Sequence, residues 1–154
     1  MALQYFTLIH IIISLVGIAS GFGALSGWLV GKNYPRWSNC FLATTTATSA
    51  TGFFFPFRGF TPGIGVGIIS LLVLGIAAYA LYSRQLTGIW RKAFVVNSVV
   101  ALYLNVFVLF VQLFQKFPAL RELAPTQSEP AFGLTQLVLL AALVALGIAA
   151  TRRF

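Results

Sequence analysis

The chain has 154 residues, of which 59% are hydrophobic and only 8% are charged. This composition excludes a soluble globular domain, which needs more charged residues to cover its surface, and predicts a polytopic membrane protein with one integral membrane domain, 1–154. Ten Lys and Arg face two acidic residues, for a net charge of +8. The basic residues lie in short segments between apolar runs, which indicates membrane orientation and no nucleic-acid partner.

Five apolar segments follow one another and predict five membrane-spanning helices. A helix crosses the hydrocarbon region in about 20 residues. The segments have roughly that length and cover 4–30, 39–57, 62–83, 93–117 and 131–150. We therefore predict an all-α membrane protein, a five-transmembrane-helix bundle. Because the second segment is rich in Thr, an alternative with four spans and a re-entrant hairpin at 39–57 stays open.

The basic residues of the loops favour five spans. With five spans, one side of the membrane holds seven of them and the other side three, whereas four spans give five on each side. The seven are Lys32, Arg36, Arg84, Arg91, Lys92, Arg152 and Arg153, and the three are Arg58, Lys116 and Arg121. The positive-inside rule then predicts a multi-pass protein with a periplasmic N-terminus and a cytoplasmic C-terminus. Trp28, Trp37 and Trp90 are expected as aromatic anchors at the inner interface.

Small residues recur at four-residue spacing in the first and last segments. Gly17 and Gly21 form such a pair in the first segment, and Ala141, Ala145 and Ala149 repeat it in the last. Since small side chains let helix backbones approach closely in lipid, both sets predict helix–helix interfaces.

The fourth segment carries a polar stripe formed by Asn97, Asn105, Gln112 and Gln115. Amides cannot face lipid without losing their hydrogen bonds, so the stripe is expected to face other helices. Two interpretations stay open: hydrogen bonds between helices, and the lining of a cavity or path. The Thr-rich face of the second segment is the expected partner.

His10, Thr51 and Gln112 share a predicted depth of roughly 8–10 Å below the outer surface, at about 1.5 Å per residue. Asn105 lies deeper on the same stripe, and Arg58 lies above this layer. These five residues are our candidates for a ligand-binding or polar layer. The alternative for His10 is a neutral imidazole that only hydrogen-bonds a neighbouring helix.

The remaining chemistry is sparse. The predicted spans contain no Asp or Glu, and the chain has one His and a single Met, at position 1. Such a sequence provides no metal-ligand spacing and too few axial ligands for haem. We predict no catalytic residue, no metal site and no cofactor, and therefore a protein that is not an enzyme.

Three stretches resemble those of small polytopic bacterial inner-membrane proteins for which no activity is known: TGFFFPFRGFTPG (51–63), ALYLNVFVLFVQLFQK (101–116) and APTQSEP (124–130). The resemblance implies the bacterial inner membrane. The first expectation is a non-enzymatic accessory or structural subunit of a larger membrane assembly, with membrane lipid and other subunits as partners. The alternative is a binder or conduit for a small hydrophobic or neutral ligand, such as a quinone or a lipid, in the outer polar layer.

Overall fold

The computed structural model describes residues 1–56 and 59–154, and the regular structure in these two ranges is helical. The helices are α1 (Ala2–Leu29), α2 (Pro35–Gly52), α3 (Pro62–Ala78), α4 (Ile89–Lys116), α5 (Pro118–Leu123) and α6 (Pro130–Arg153). One turn of π-helix, Tyr79–Ser83, extends α3. Four of them, α1, α3 with its π-turn, α4 and α6, are long and apolar enough to span a membrane. The chain is thus an all-helical bundle of membrane type.

The prediction of five apolar spans is met by four helices, because the composition of α2 is more polar than that of the other four. Five Thr residues fall between positions 44 and 51, and their hydroxyl groups lower the hydropathy of the helix. The alternative of a re-entrant hairpin is not found either, since α2 is continuous over 18 residues. It ends at Gly52, ahead of the end predicted at 57, and residue 57 lies outside the described residues.

Proline marks where the helices begin. Pro35, Pro62, Pro118 and Pro130 each occupy the first turn of a helix. A proline costs nothing there, because the amide that it lacks has no partner within the helix. At α3 the side chain of Thr61 adds a cap and accepts a hydrogen bond from the Ile64 amide at 3.3 Å.

Helix α4 is central and contacts α1, α2, α3, α5 and α6. Around it, α6 packs on α1, α1 on α2, and α2 on α3. The end of the bundle that holds residues 30–34, 84–88 and 154 is called the basic end. Two hydrogen bonds join these segments: Arg153 Nη1 donates to the Leu29 carbonyl at 3.2 Å, and Arg91 Nη1 donates to the main-chain oxygen of Phe154 at 3.3 Å.

The tightest packing lies in the half of the bundle toward the basic end, which we call the packed half. Trp28 is 1% exposed, and its ring meets that of Phe94 edge-on, with 5.1 Å between the centroids. Phe41 and Phe94 are fully buried. The prediction that Trp28 is an interfacial anchor is therefore wrong: it fills space between α1 and α4. Trp37, at 48% exposed, lies at the surface.

Gly21 shows why α1 and its neighbours come so close. A Cβ atom at this position would lie 2.7 Å from Cδ1 of Leu102 and 2.9 Å from Cδ2 of Phe41. Since van der Waals contact needs more room, only glycine fits here without a shift of the neighbouring side chains.

The small-residue prediction for α6 identified the wrong face. Ala141 and Ala145 are exposed and Ala149 is half-buried, whereas Leu143 and Ala150 are buried. A Cβ on Gly147 would lie 3.2 Å from Cγ1 of Val99, so Gly147 lies against α4. Alanine is small enough to pack and apolar enough to face lipid, so its spacing alone does not distinguish the two faces.

Candidate functional site

A cavity of about 710 Å³ lies between α1, α2, α3 and α4 in the other half of the bundle, which we call the cavity half. On α1, residues before position 17 are exposed or half-buried, so close packing of this helix is confined to the packed half. On α3, Gly63, Gly67 and Ser70 line the cavity and leave its volume open. Most of the wall is apolar, with Leu104 and Val108 among the residues from α4.

His10 is held in one orientation at the cavity wall. Its Nδ1 lies 2.8 Å from Thr51 Oγ1, and its ring meets Phe55 edge-on with 5.0 Å between centroids. Thr51 Oγ1 itself donates to the Ala47 carbonyl at 2.7 Å. A hydroxyl has a single hydrogen to donate; with that hydrogen directed to Ala47, Thr51 accepts from Nδ1–H of His10. In the neutral imidazole the lone pair is then on Nε2, and this atom is a hydrogen-bond acceptor without a partner among the described residues.

Asn105 joins α4 to α1 beneath His10. Ser14 Oγ donates to Asn105 Oδ1 at 2.8 Å, and Asn105 Nδ2 donates to the Ser14 carbonyl at 3.4 Å. Asn105 is 9% exposed, so these two hydrogen bonds give both the oxygen and the nitrogen of a buried amide a partner. The partner of the polar stripe at this depth is therefore α1, and the expected pairing with the Thr-rich face of α2 is not observed for Asn105.

The other amides of the stripe divide between three environments. Asn97 Nδ2 donates within its own helix to the Ala93 carbonyl at 2.7 Å, and Gln115 Nε2 lies 3.4 Å from Gln127 Oε1 in the following loop. Gln112 lines the cavity, but it is exposed, contrary to the expectation that the stripe faces other helices, and it has no hydrogen-bond partner within residues 1–56 and 59–154. Of the four, only Gln112 presents an unused amide to the cavity.

The predicted site residues fall as follows. His10, Asn105 and Gln112 line one cavity, and Thr51 is hydrogen-bonded to His10. Arg58, the fifth candidate, lies outside the described residues.

Several wall residues were not among the predicted site residues. Ser14 lies one turn after His10 on the same face of α1, and this spacing identifies it as part of the polar layer. Gly63, Gly67 and Ser70 recur at helical spacing on α3, which indicates a face without bulk. Phe55 belongs to the aromatic run 53–60 that follows the Thr-rich face, but its contact with His10 depends on the conformation after α2, which the sequence pattern does not define.

Within the described residues, no group of three or more His, Cys, Asp or Glu side chains is placed to hold a metal ion. The cavity thus offers hydrogen bonds and apolar surface.

Comparison with protein-family models finds no match, and searches among curated proteins and solved structures find no significant similarity. The resemblance to small bacterial inner-membrane proteins stays a prediction.

Proposed function

We propose that this protein is a non-enzymatic membrane protein that binds a small, neutral, mostly apolar molecule carrying a hydroxyl group. The observation that carries this proposal is the fixed His10 ring at the wall of the cavity, with Nε2 free as an acceptor, together with the unpaired amide of Gln112. The hydroxyl would donate to His10 Nε2 and accept from Gln112. A hydroquinone or a lipid alcohol has this chemistry.

The size and lining of the cavity support such a ligand. A volume of about 710 Å³ lies within the range of small-molecule sites, roughly 300–1,000 Å³. Among the described lining residues only His10 and Lys116 are ionisable, and Lys116 lies in the last turn of α4, near the surface of the bundle. A charged ligand would lose its hydration without a buried counter-charge, at a cost of several kcal/mol or more. The interior therefore favours a neutral molecule.

The role of accessory or structural subunit is the weaker candidate. Apolar side chains are exposed along α6, among them Leu134 and Leu137. This surface fits contact with lipid as well as contact with another subunit, so it does not favour one over the other.

The binding test uses two probes that differ in one hydrogen-bond donor, 4-octylphenol and its methyl ether. Native mass spectrometry of the full chain released from detergent is expected to show a one-to-one adduct with the phenol and much less with the ether. Leu109→Trp should abolish the adduct, because Leu109 lines the cavity. Leu137→Trp is the matched control, since Leu137 is 62% exposed on α6.

Equal binding of the phenol and the ether would contradict the role of His10 as an acceptor. Equal binding to the Leu109→Trp and Leu137→Trp variants would show that the phenol does not occupy the cavity, and would contradict the proposed function.

We also propose that α2 crosses the membrane as a fifth span, with the N-terminus in the periplasm and the C-terminus in the cytoplasm of a bacterial inner membrane. In support, α2 has 18 residues and is therefore about 27 Å long. It packs along α1, which is long enough to span. In a Cys40→Ser background, Ala2→Cys and Ser128→Cys should react with an impermeant thiol reagent from outside. Arg91→Cys should react only after permeabilisation. Reaction of Ala2→Cys from the same side as Arg91→Cys would contradict five spans.

A further inference from the structure

A second pocket, of about 400 Å³, lies at the basic end where α4 begins and α6 ends. Arg91 and Lys92 line it from the first turn of α4, and Arg152 and Arg153 line it from the last turn of α6. These four side chains define what we call the basic pocket. It is far from the cavity, because the two lie at opposite ends of α4, and it has no part in the function proposed above.

The charge of the basic pocket is not balanced by the protein's own side chains. The sequence contains two acidic residues, Glu122 and Glu129. Both lie at the other end of the bundle, in α5 and in the loop before α6. Four like charges around one pocket repel one another, and an anion from outside relieves that repulsion.

Two of the arginines are held in place by main-chain oxygen atoms. The guanidinium of Arg91 lies 5.5 Å from the centroid of the Phe154 ring and donates to the main-chain oxygen of Phe154 at 3.3 Å. Arg153 donates to the Leu29 carbonyl at 3.2 Å. Each of these bonds uses one of five N–H donors, so the remaining donors stay available while the side chain is ordered. All four side chains of the basic pocket are exposed.

The backbone adds to the positive potential. Helix α4 is 28 residues long and begins without a side-chain cap, so the partial positive charge of its N-terminus is not neutralised. The planar guanidinium groups suit two oxygens of one phosphate group, which they can bind with paired hydrogen bonds.

Next to these charges, the surface is apolar. Ile89, two residues before Arg91, is 76% exposed. Trp90 packs edge-on against Tyr79, with 5.0 Å between the ring centroids. An apolar and aromatic surface beside a basic pocket is the arrangement expected at the level of lipid headgroups.

We propose that the basic pocket binds the phosphate group of an anionic lipid headgroup. Arg91 and Arg152 hold the phosphate oxygens, and Ile89 contacts the beginning of the acyl chains. The bilayer is the source of the phosphate because the site lies at one end of apolar helices and continues into an apolar surface.

The test measures lipid affinity on the full chain in a neutral maltoside detergent. Dioctanoyl phosphatidylglycerol is compared with dioctanoyl phosphatidylcholine, which has the same chains and no net charge, and with inorganic phosphate. We expect saturable binding of phosphatidylglycerol alone. The double variant Arg91→Gln/Arg152→Gln should bind it about 30-fold more weakly, from the usual contribution of two basic side chains near an anionic lipid.

The matched control is Lys32→Gln/Arg36→Gln, which removes the same charge from the same end outside the pocket, and it should keep wild-type affinity within about threefold. An equal loss in both double variants would show diffuse attraction and overturn the site. Unchanged affinity in Arg91→Gln/Arg152→Gln would also overturn it. If inorganic phosphate binds as well as the lipid, the phosphate site stands and the bilayer as its source is wrong.

If Arg91→Gln/Arg152→Gln does not elute as a monodisperse species, two further variants decide the question. Lys92→Gln removes one exposed charge and should weaken phosphatidylglycerol binding about fivefold. Arg91→Lys/Arg152→Lys keeps the charge and should retain more binding than any Gln variant. The absence of both effects would overturn the proposal.

Discussion

The packed half and the cavity half of the bundle are made from the same helices but are held together differently. Toward the basic end, Trp28, Phe41 and Phe94 fill the space between α1, α2 and α4. Toward the other end, the same helices surround a cavity of about 710 Å³ and are connected by hydrogen bonds such as that of Ser14 with Asn105. Helix α1 changes from one mode to the other at Gly17, its first buried residue.

The difference shows where the stability of this fold lies. Lipid offers no hydrophobic driving force between helices, so close van der Waals packing and interhelical hydrogen bonds hold them together. Close packing is concentrated in the packed half. The cavity half can therefore leave a volume open, provided that its polar groups find partners, and a binding site needs that freedom.

The largest expected effect comes from adding bulk to the packed half. Gly21→Leu should destabilise the protein by about 3 kcal/mol or more, because even its Cβ would lie 2.7 Å from Leu102. In detergent, the apparent midpoint of thermal unfolding should fall by roughly 10 °C. Gly21→Ala should also lower the midpoint, by a smaller amount.

Gly75→Leu is the matched control, since no atom outside its own turn lies within 4 Å of a Cβ at that position of α3. Its midpoint should be unchanged or higher, because leucine favours a helix over glycine by roughly 0.8 kcal/mol. Leu109→Trp, which adds bulk to the cavity half, should also cost little. If Leu109→Trp lowered the midpoint as much as Gly21→Leu, the contrast between the halves would be wrong.

A smaller effect is expected where the cavity half is connected by polar groups. Asn105→Leu removes the hydrogen bonds with Ser14 and should cost about 1 kcal/mol, the usual size for such a pair between membrane helices. Ser14→Ala and the double variant complete a cycle whose coupling energy should be smaller, because Ser14→Ala removes only the hydroxyl bond and keeps the carbonyl that accepts from Asn105 Nδ2. Guanidinium or detergent-titration unfolding measures it. Additive effects of the two substitutions would show that the hydrogen bond does not connect α1 and α4.

The sequence predicts the helical class and the apolar helices well, because hydropathy over 20 residues averages out local detail. It is less reliable about faces. Trp28 was expected at the interface because tryptophan is common there, but its ring is large enough to fill the gap that small residues leave between α1 and α4. Which role a tryptophan takes depends on helix rotation, and no local pattern determines that rotation.

The candidate site shows the same limit. The cost of unpaired polar groups in lipid predicts that His10 and Asn105 point inward, and depth along the helices predicts which residues share a layer. Neither argument identifies the partner, which depends on the order of the helices around α4. Asn105 bonds Ser14 on α1, although the Thr residues of α2 offer as many hydroxyl groups. The size of the cavity could not be predicted, because it is the volume that packing leaves unfilled.

The smallest expected effect concerns the loop that follows α5 at the cavity end. Glu129 accepts hydrogen bonds there from the Thr126 hydroxyl at 2.8 Å and from the Ser128 amide at 3.1 Å. The hydrogen bond from the Thr126 side chain is the main reason that the pKa of Glu129 lies below its ordinary value of 4.5. Because the pKa of Glu129 is lowered in the ordered loop, its carboxylate stabilises that loop at pH values above the ordinary pKa. That contribution is lost as the pH falls through the lowered pKa.

In ¹⁵N-labelled protein the Thr126 amide resonance should therefore move with a single titration step whose midpoint lies below 4.5, the ordinary pKa of the carboxyl. Glu129→Gln should abolish this step and leave thermal unfolding of the bundle unchanged, because among the described residues the Glu129 carboxylate bonds only to Thr126 and Ser128 of its own loop. Glu122→Gln, which alters the chain's other acid, should leave the step in place. A step that persists in Glu129→Gln would assign the titration to another group. A large fall in thermal stability with Glu129→Gln would show that the loop supports the cavity half. Hydrogen bonds between helices would then not be enough to hold that half together.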